Sequence, residues 1–184
     1  MTRLKSLPPN AHVYEVFASN PGVFEPFTEA CEQIMRGPSE LSPGQRELLG
    51  TFVSGLNACP YCHDVHNEAA KAYGFQADLS QRLRDDINDA DMDEKLKPLF
   101  ALARKSTEAA YKVTDADFEA ARSAGWGEDA IRDAVVVSCL FNFMNRLVST
   151  LGIAADSRYL EEAGARIKDE GYSNSLKKFG DKQG

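Results

Sequence analysis

The strongest constraint on the fold is a pair of helix starts set close together. Residues 42–45 read Ser-Pro-Gly-Gln: a hydroxyl N-cap at Ser42, proline at the first helical position, and Gln45 placed to close a capping box. Behind them Leu48, Leu49, Phe52, Val53 and Leu56 recur at helical spacing. A further helix is expected to begin at Pro60 and run to about Ala72, with Gly74 closing it. The same period places Val23, Phe24, Phe27, Ala30, Cys31 and Ile34 on one helix that stops at Gly37 and Pro38. It also predicts helices near 79–86, 93–105, 114–124, 128–151 and 157–167. No period-2 strand pattern and no internal repeat is visible, so the expectation is an all-α chain forming one domain over residues 1–184. Its core is placed at about 15–167. Residues 168–184, basic in balance, are read as a solvated, partly disordered tail.

The formal net charge of −7 argues against a nucleic-acid partner, which calls for a concentrated basic face. The N-terminal residues carry no apolar signal-peptide core. The most apolar run, 134–144, is short and interrupted by Ser138 and Asn142, so no membrane span is expected. The expected location is therefore the cytoplasm, where a close cysteine pair points to catalysis or metal binding more than to a structural disulfide.

That pair lies in Ala58–His66, "ACPYCHDVH". Cys-Pro-Tyr-Cys suits a thioredoxin-like dithiol, but such motifs follow a strand, and here the preceding segment is an amphipathic helix. Cys-x-x-Cys-His suits haem attachment, but the pattern is short and no export signal accompanies it. Cys59, Cys62, His63 and His66 could together supply zinc ligands. Yet they crowd onto one element, with His63 about 100° round the helix from Cys62.

Read as thiols, the residues make a different arrangement. Pro60 at the first helical position makes Cys59 the N-cap and puts Cys62 in the first turn, where backbone N–H groups and the helix dipole favour a thiolate. His66 follows Cys62 by four residues on the same face, the spacing of an activated nucleophile and its base. A third group could be Glu47, which shares the face opposite the apolar stripe with Thr51, Ser54 and Gly55. Either this face meets solvent, or the next helix approaches it and brings Glu47 to His66.

The set Glu47–x11–Cys59–x2–Cys62–x3–His66, with its flanking helices, resembles the signature of the AhpD-like alkylhydroperoxidase and carboxymuconolactone decarboxylase superfamily, over roughly residues 15–155. The match is to its peroxidase-related branch. The resemblance implies an AhpD-like helical fold that assembles through helical interfaces into a homo-oligomer, a trimer or hexamer. It implies reduction of small alkyl hydroperoxides through the CxxC pair at the expense of a dithiol or lipoylated reductant. On this carry-over Cys62 is the peroxidatic cysteine, Cys59 the resolving one, His66 the proton-relay histidine and Glu47 the carboxylate that polarises it. No cofactor and no metal is assigned. Tyr61 stands where the founding alkylhydroperoxidase has a relay histidine, and His63 is an added histidine read as a partly exposed helix residue.

Two alternatives stay open: a disulfide reductase or redox sensor that does not turn over peroxide, and a zinc-stabilised module without enzymatic activity. Cys31 and Cys139 are read as buried, inert thiols. Asn142, Asn145 and Arg146 interrupt the apolar long helix, either to line a pocket or to pair at an interface.

Overall fold

A computed structural model of the chain describes residues 1–88 and 90–181. The α-helices are α1 (Val13–Ala18), α2 (Pro21–Arg36), α3 (Pro43–Leu56), α4 (Pro60–Ala72) and α5 (Leu79–Asp85), then α6 (Lys97–Ala109), α7 (Asp115–Ser123), α8 (Glu128–Leu151), α9 (Ser157–Glu170) and α10 (Ser173–Asp181). Short 3-10 turns at Glu94–Leu96 and Ala110–Lys112 flank α6, and no strand occurs among the described residues. The fold is all-α.

The start signals act as their chemistry dictates. Ser42 Oγ accepts from the Gln45 N–H at 3.2 Å, and Gln45 Oε1 accepts from the Ser42 N–H at 2.8 Å. Thr114 and Asp117 close the equivalent box at the start of α7. The helix expected from 93 opens instead as a 3-10 turn, and Pro98 sets the beginning of α6.

The C-terminal stretch departs from expectation. Helix α9 continues to Glu170, and Ser173–Asp181, expected as a solvated tail, forms α10 against α1, α2 and α9. The physical reason is an apolar row at helical spacing, Tyr172, Leu176 and Phe179, which packs onto the core beneath a basic outer face. Lys182 lies outside the described residues.

Two apolar clusters fill the interior. One joins α3, α5, α6 and α8 through Leu48, Phe52, Leu83, Phe100 and Ile131. The other joins α1, α4, α8 and α9 through Phe17, Cys62, Val65, Val148 and Ile167. Helix α8 serves both. By length and composition it is also the one helix, among the described residues, that could cross a membrane. One of its faces, carrying Ile131, Ala134, Val137, Phe141 and Val148, is buried, while Val136 and Phe143 are exposed on the other.

Two glycines allow the helices to meet closely. At Gly50 the Phe141 ring of α8 sits where a methyl would be. At Gly164 a methyl would lie 2.5 Å from the Glu68 carbonyl oxygen, so α9 rests on the backbone of α4. Because that neighbour is backbone and cannot rotate aside, Gly164→Ala is expected to cost about 1–3 kcal/mol, read as a lower urea midpoint at unchanged m-value.

Candidate functional site

The site begins where α3 ends. The Cys59 N–H bonds to the Ser54 carbonyl at 3.0 Å and the Ala58 N–H to Gly55 at 3.1 Å, a double closure that needs a left-handed residue between them. Ala58 fills that position at φ 49°, a conformation normally left to glycine, so the backbone is strained one residue before the first thiol. The chain reverses within this turn, and Cys59 becomes the N-cap of α4.

Reversal so tight lays α4 along the small-residue face of α3. Thr51 and Ser54 are fully buried there, and Glu47 is 1% exposed. Glu47 Oε2 lies 2.8 Å from His66 Nδ1, one turn beyond Cys62 on α4. The face therefore meets the next helix and not solvent.

A third group completes the arrangement. Tyr172, between α9 and α10, donates its hydroxyl to Glu47 Oε1 at 2.7 Å and lies parallel to the His66 ring at a centroid distance of 6.2 Å. Burial first, and the Glu47 carboxylate second, push the Tyr172 phenol well above its ordinary range, so it remains a donor. Sequence reasoning missed it, because it lies beyond the region that resembles the family. The apolar row Tyr172–Leu176–Phe179 was the available signal.

Asn145 was visible only as a polar interruption of α8. It is buried, donates to Ser54 Oγ at 2.9 Å and accepts from Asn57 Nδ2 at 2.9 Å, and its amide favours the thiolate form of both cysteines. Arg146 folds back on the Asn142 carbonyl at 2.7 Å.

The two thiols differ in charge and in outlook. The Cys62 S–H, donating to Cys59, is the main force drawing the Cys59 thiol down to about 6; Ser149, the Cys62 backbone N–H and Asn145 add to it, against burial. The same bond, together with burial, pushes the Cys62 thiol well up. Within the pair, thiolate character leans toward the N-cap cysteine. Cys62 faces an apolar cavity of about 70 Å³ bounded by Val65, His66, Leu140, Phe141 and Met144. Cys59 borders, on the other side, a surface groove lined by Ser54, His63, Asp64 and Arg84.

The remaining expectations sort themselves by geometry. His63 Nδ1 pairs with Asp64 Oδ1 at 2.8 Å, so the two imidazoles of the motif have separate partners. Among the described residues no three His, Cys, Asp or Glu side chains converge as a metal site. The Tyr61 hydroxyl turns away from the thiols and donates to the Tyr159 hydroxyl at 3.0 Å. Cys31 is buried, and burial pushes its thiol up to about 12. Cys139 is exposed, a correction to the expected burial: it falls on the outward face of α8 beside Val136 and Phe143.

Residues 21–79 match the carboxymuconolactone decarboxylase family. Among solved structures, an uncharacterized peroxidase-related protein from Silicibacter sp. TM1040 is 29% identical, with a TM-score of 0.75 over 80% of this chain and 78% of its own. A peroxidase-related protein with an alkylhydroperoxidase AhpD core, from Ralstonia eutropha JMP134, shares the fold at 24% identity and a TM-score of 0.75, over 87% of this chain and 83% of its own. No curated protein matches the chain.

The charge assignment predicts a pH profile. With the Cys59 thiol at about 6 in place of 9, alkylation of the reduced protein by iodoacetamide should rise with a midpoint near pH 6. Cys62→Ala removes the donor and should move that midpoint upward, while Cys59→Ala should abolish the low-pH wave. Because the folded thiol loses its proton first, the unfolded chain binds more protons between about pH 6 and 9, so Cys59 should add stability as pH rises through that window.

Proposed function

Because the chain belongs to the AhpD-like alkylhydroperoxidase and carboxymuconolactone decarboxylase superfamily, we propose that it is a thiol-dependent peroxidase acting on small alkyl hydroperoxides through Cys59 and Cys62. The observation that carries this reading is the 2.8 Å bond between buried Glu47 and His66, set one helical turn from a thiol that faces an apolar cavity. A carboxylate at Nδ1 fixes the imidazole with its proton there, which leaves Nε2 as the basic nitrogen.

In the proposed cycle Cys62 gives its proton to the relay and attacks the terminal oxygen of the hydroperoxide. The O–O bond breaks, the sulfur becomes a sulfenic acid, and the imidazolium returns the proton to the departing alkoxide. The Cys59 thiolate then attacks the Cys62 sulfur, forms the disulfide and expels hydroxide, which takes up a proton from solvent to become water. A dithiol donor, lipoylated or otherwise, restores both thiols; its first thiolate attacks from the groove at Cys59 and Cys62 leaves. Glu47 and Tyr172 act as positioning groups on His66. The exposed apolar strip with Val136 and Phe143 supports assembly into a homo-oligomer.

One observation favours a second reading. A low-pKa thiolate at Cys59 on an open groove suits a disulfide reductase that does not turn over peroxide.

Peroxide consumption by the reduced protein separates the two. Wild type should consume one equivalent of tert-butyl hydroperoxide rapidly, and Cys62→Ser should not. Glu47→Gln or His66→Asn should slow the reaction by about 10²–10⁴-fold. A wild-type rate no faster than that of Cys62→Ser would overturn the peroxidase reading.

A further inference from the structure

We infer that the cavity at Cys62 contains an anion subsite at Arg166, which takes the carboxylate of an acid-bearing apolar ligand. The ligand's identity as a hydroperoxide rests on the peroxidase reading above; the subsite itself does not.

Arg166, on α9, lines the same cavity as Cys62 and His66. Among the described side chains, which do not include those of Glu161 and Asp181, no carboxylate lies within ion-pair distance of it. Of the acidic groups in the adjoining surface groove, Glu170 is held by Lys178 at 2.6 Å, and Glu162 lies 3.4 Å from Arg158. The Arg166 Nε and Nη2 atoms are both buried and reach no acceptor in good hydrogen-bond geometry, the oxygens closest to engaging the guanidinium being the neutral hydroxyls of Tyr14 and Tyr159. Arg46, Arg82 and Arg104 each leave only Nε in that condition. Leaving two charged donors unanswered is costly, and the two here are a matched pair. Nε and Nη2 form one edge of the guanidinium, the edge that grips a carboxylate side-on through two parallel hydrogen bonds.

The surroundings fix this fork without neutralising it. The guanidinium carbon stands 5.5 Å from the Tyr14 ring centroid and 4.8 Å from that of Tyr159, so the rings hold its plane by cation–π contact. Burial raises both phenols above their ordinary range, so neither supplies the missing negative charge. The rest of the wall, with Val13, Phe17, Val65, Leu140 and Met144, suits a short apolar body. The chemistry that fits is therefore a small acid with an apolar chain: its carboxylate on Arg166, and its peroxy group, where it has one, toward Cys62.

The test uses the reduced full chain and two probes that cannot oxidise it, pentanoate and methyl pentanoate, titrated by ligand-detected NMR. Wild type should bind the acid ~10-fold or more tightly than the ester. Arg166→Met should erase that preference and leave the ester's affinity unchanged. Arg166→Lys, which keeps the charge but loses the two-pronged edge, should show a reduced preference. Equal wild-type affinity for acid and ester, or a preference that survives Arg166→Met, would overturn the subsite. An undiminished preference in Arg166→Lys would equally count against it. A second arm compares kcat/KM for a short hydroperoxy acid and its methyl ester, with the acid favoured by ~10-fold or more. If neither peroxide is turned over, the peroxidase reading fails while the NMR result still decides the subsite.

Discussion

The buried carboxylate of Glu47 is the group around which the site is organised. A carboxylate removed from water must be answered by hydrogen bonds, and here the answers come from two other parts of the chain: His66 on α4 and Tyr172 beyond α9. Those two bonds tie the α3–α4 hairpin to the C-terminal segment. They also explain why the face of α3 beside Glu47 carries the small residues Thr51 and Ser54, which let α4 approach closely enough for the imidazole to reach.

The same close approach dictates the dithiol. The reversal between α3 and α4 is short enough to force Ala58 into a left-handed conformation, and that turn makes Cys59 a helix cap with Cys62 one turn along. Two chemically identical residues then acquire different characters from position alone. One is drawn toward the thiolate and borders a surface groove; the other is pushed toward the thiol and faces an apolar cavity. In the proposed cycle that division gives the peroxide and the reductant separate entrances to one disulfide.

Much of this was legible in the residues themselves. Ser42-Pro43-x-Gln45, Pro60, Gly74 and Thr114 are local signals whose chemistry is complete within a few residues, and the helices start or stop at them. The glutamate–histidine pairing was open to sequence only as an alternative, since a polar helix face looks the same whether it meets water or another helix. Tyr172 and the burial of α10 were not legible, because a basic composition masked three apolar residues at helical spacing. The division of charge between the thiols was not legible for a related reason: the helix dipole acts on both, and their interaction with each other, with Asn145 and Ser149 of α8 contributing, draws the Cys59 thiol down and pushes the Cys62 thiol up.

The most direct measurement of the central claim is mass-spectrometric thiol mapping of the reduced protein after one equivalent of tert-butyl hydroperoxide. The account predicts a single new cross-link, the Cys59–Cys62 disulfide, with Cys31 and Cys139 still free, and a marked slowing of its formation in Glu47→Gln. Thiols that remain free after peroxide exposure, or a disulfide that forms equally fast without the Glu47 carboxylate, would contradict it.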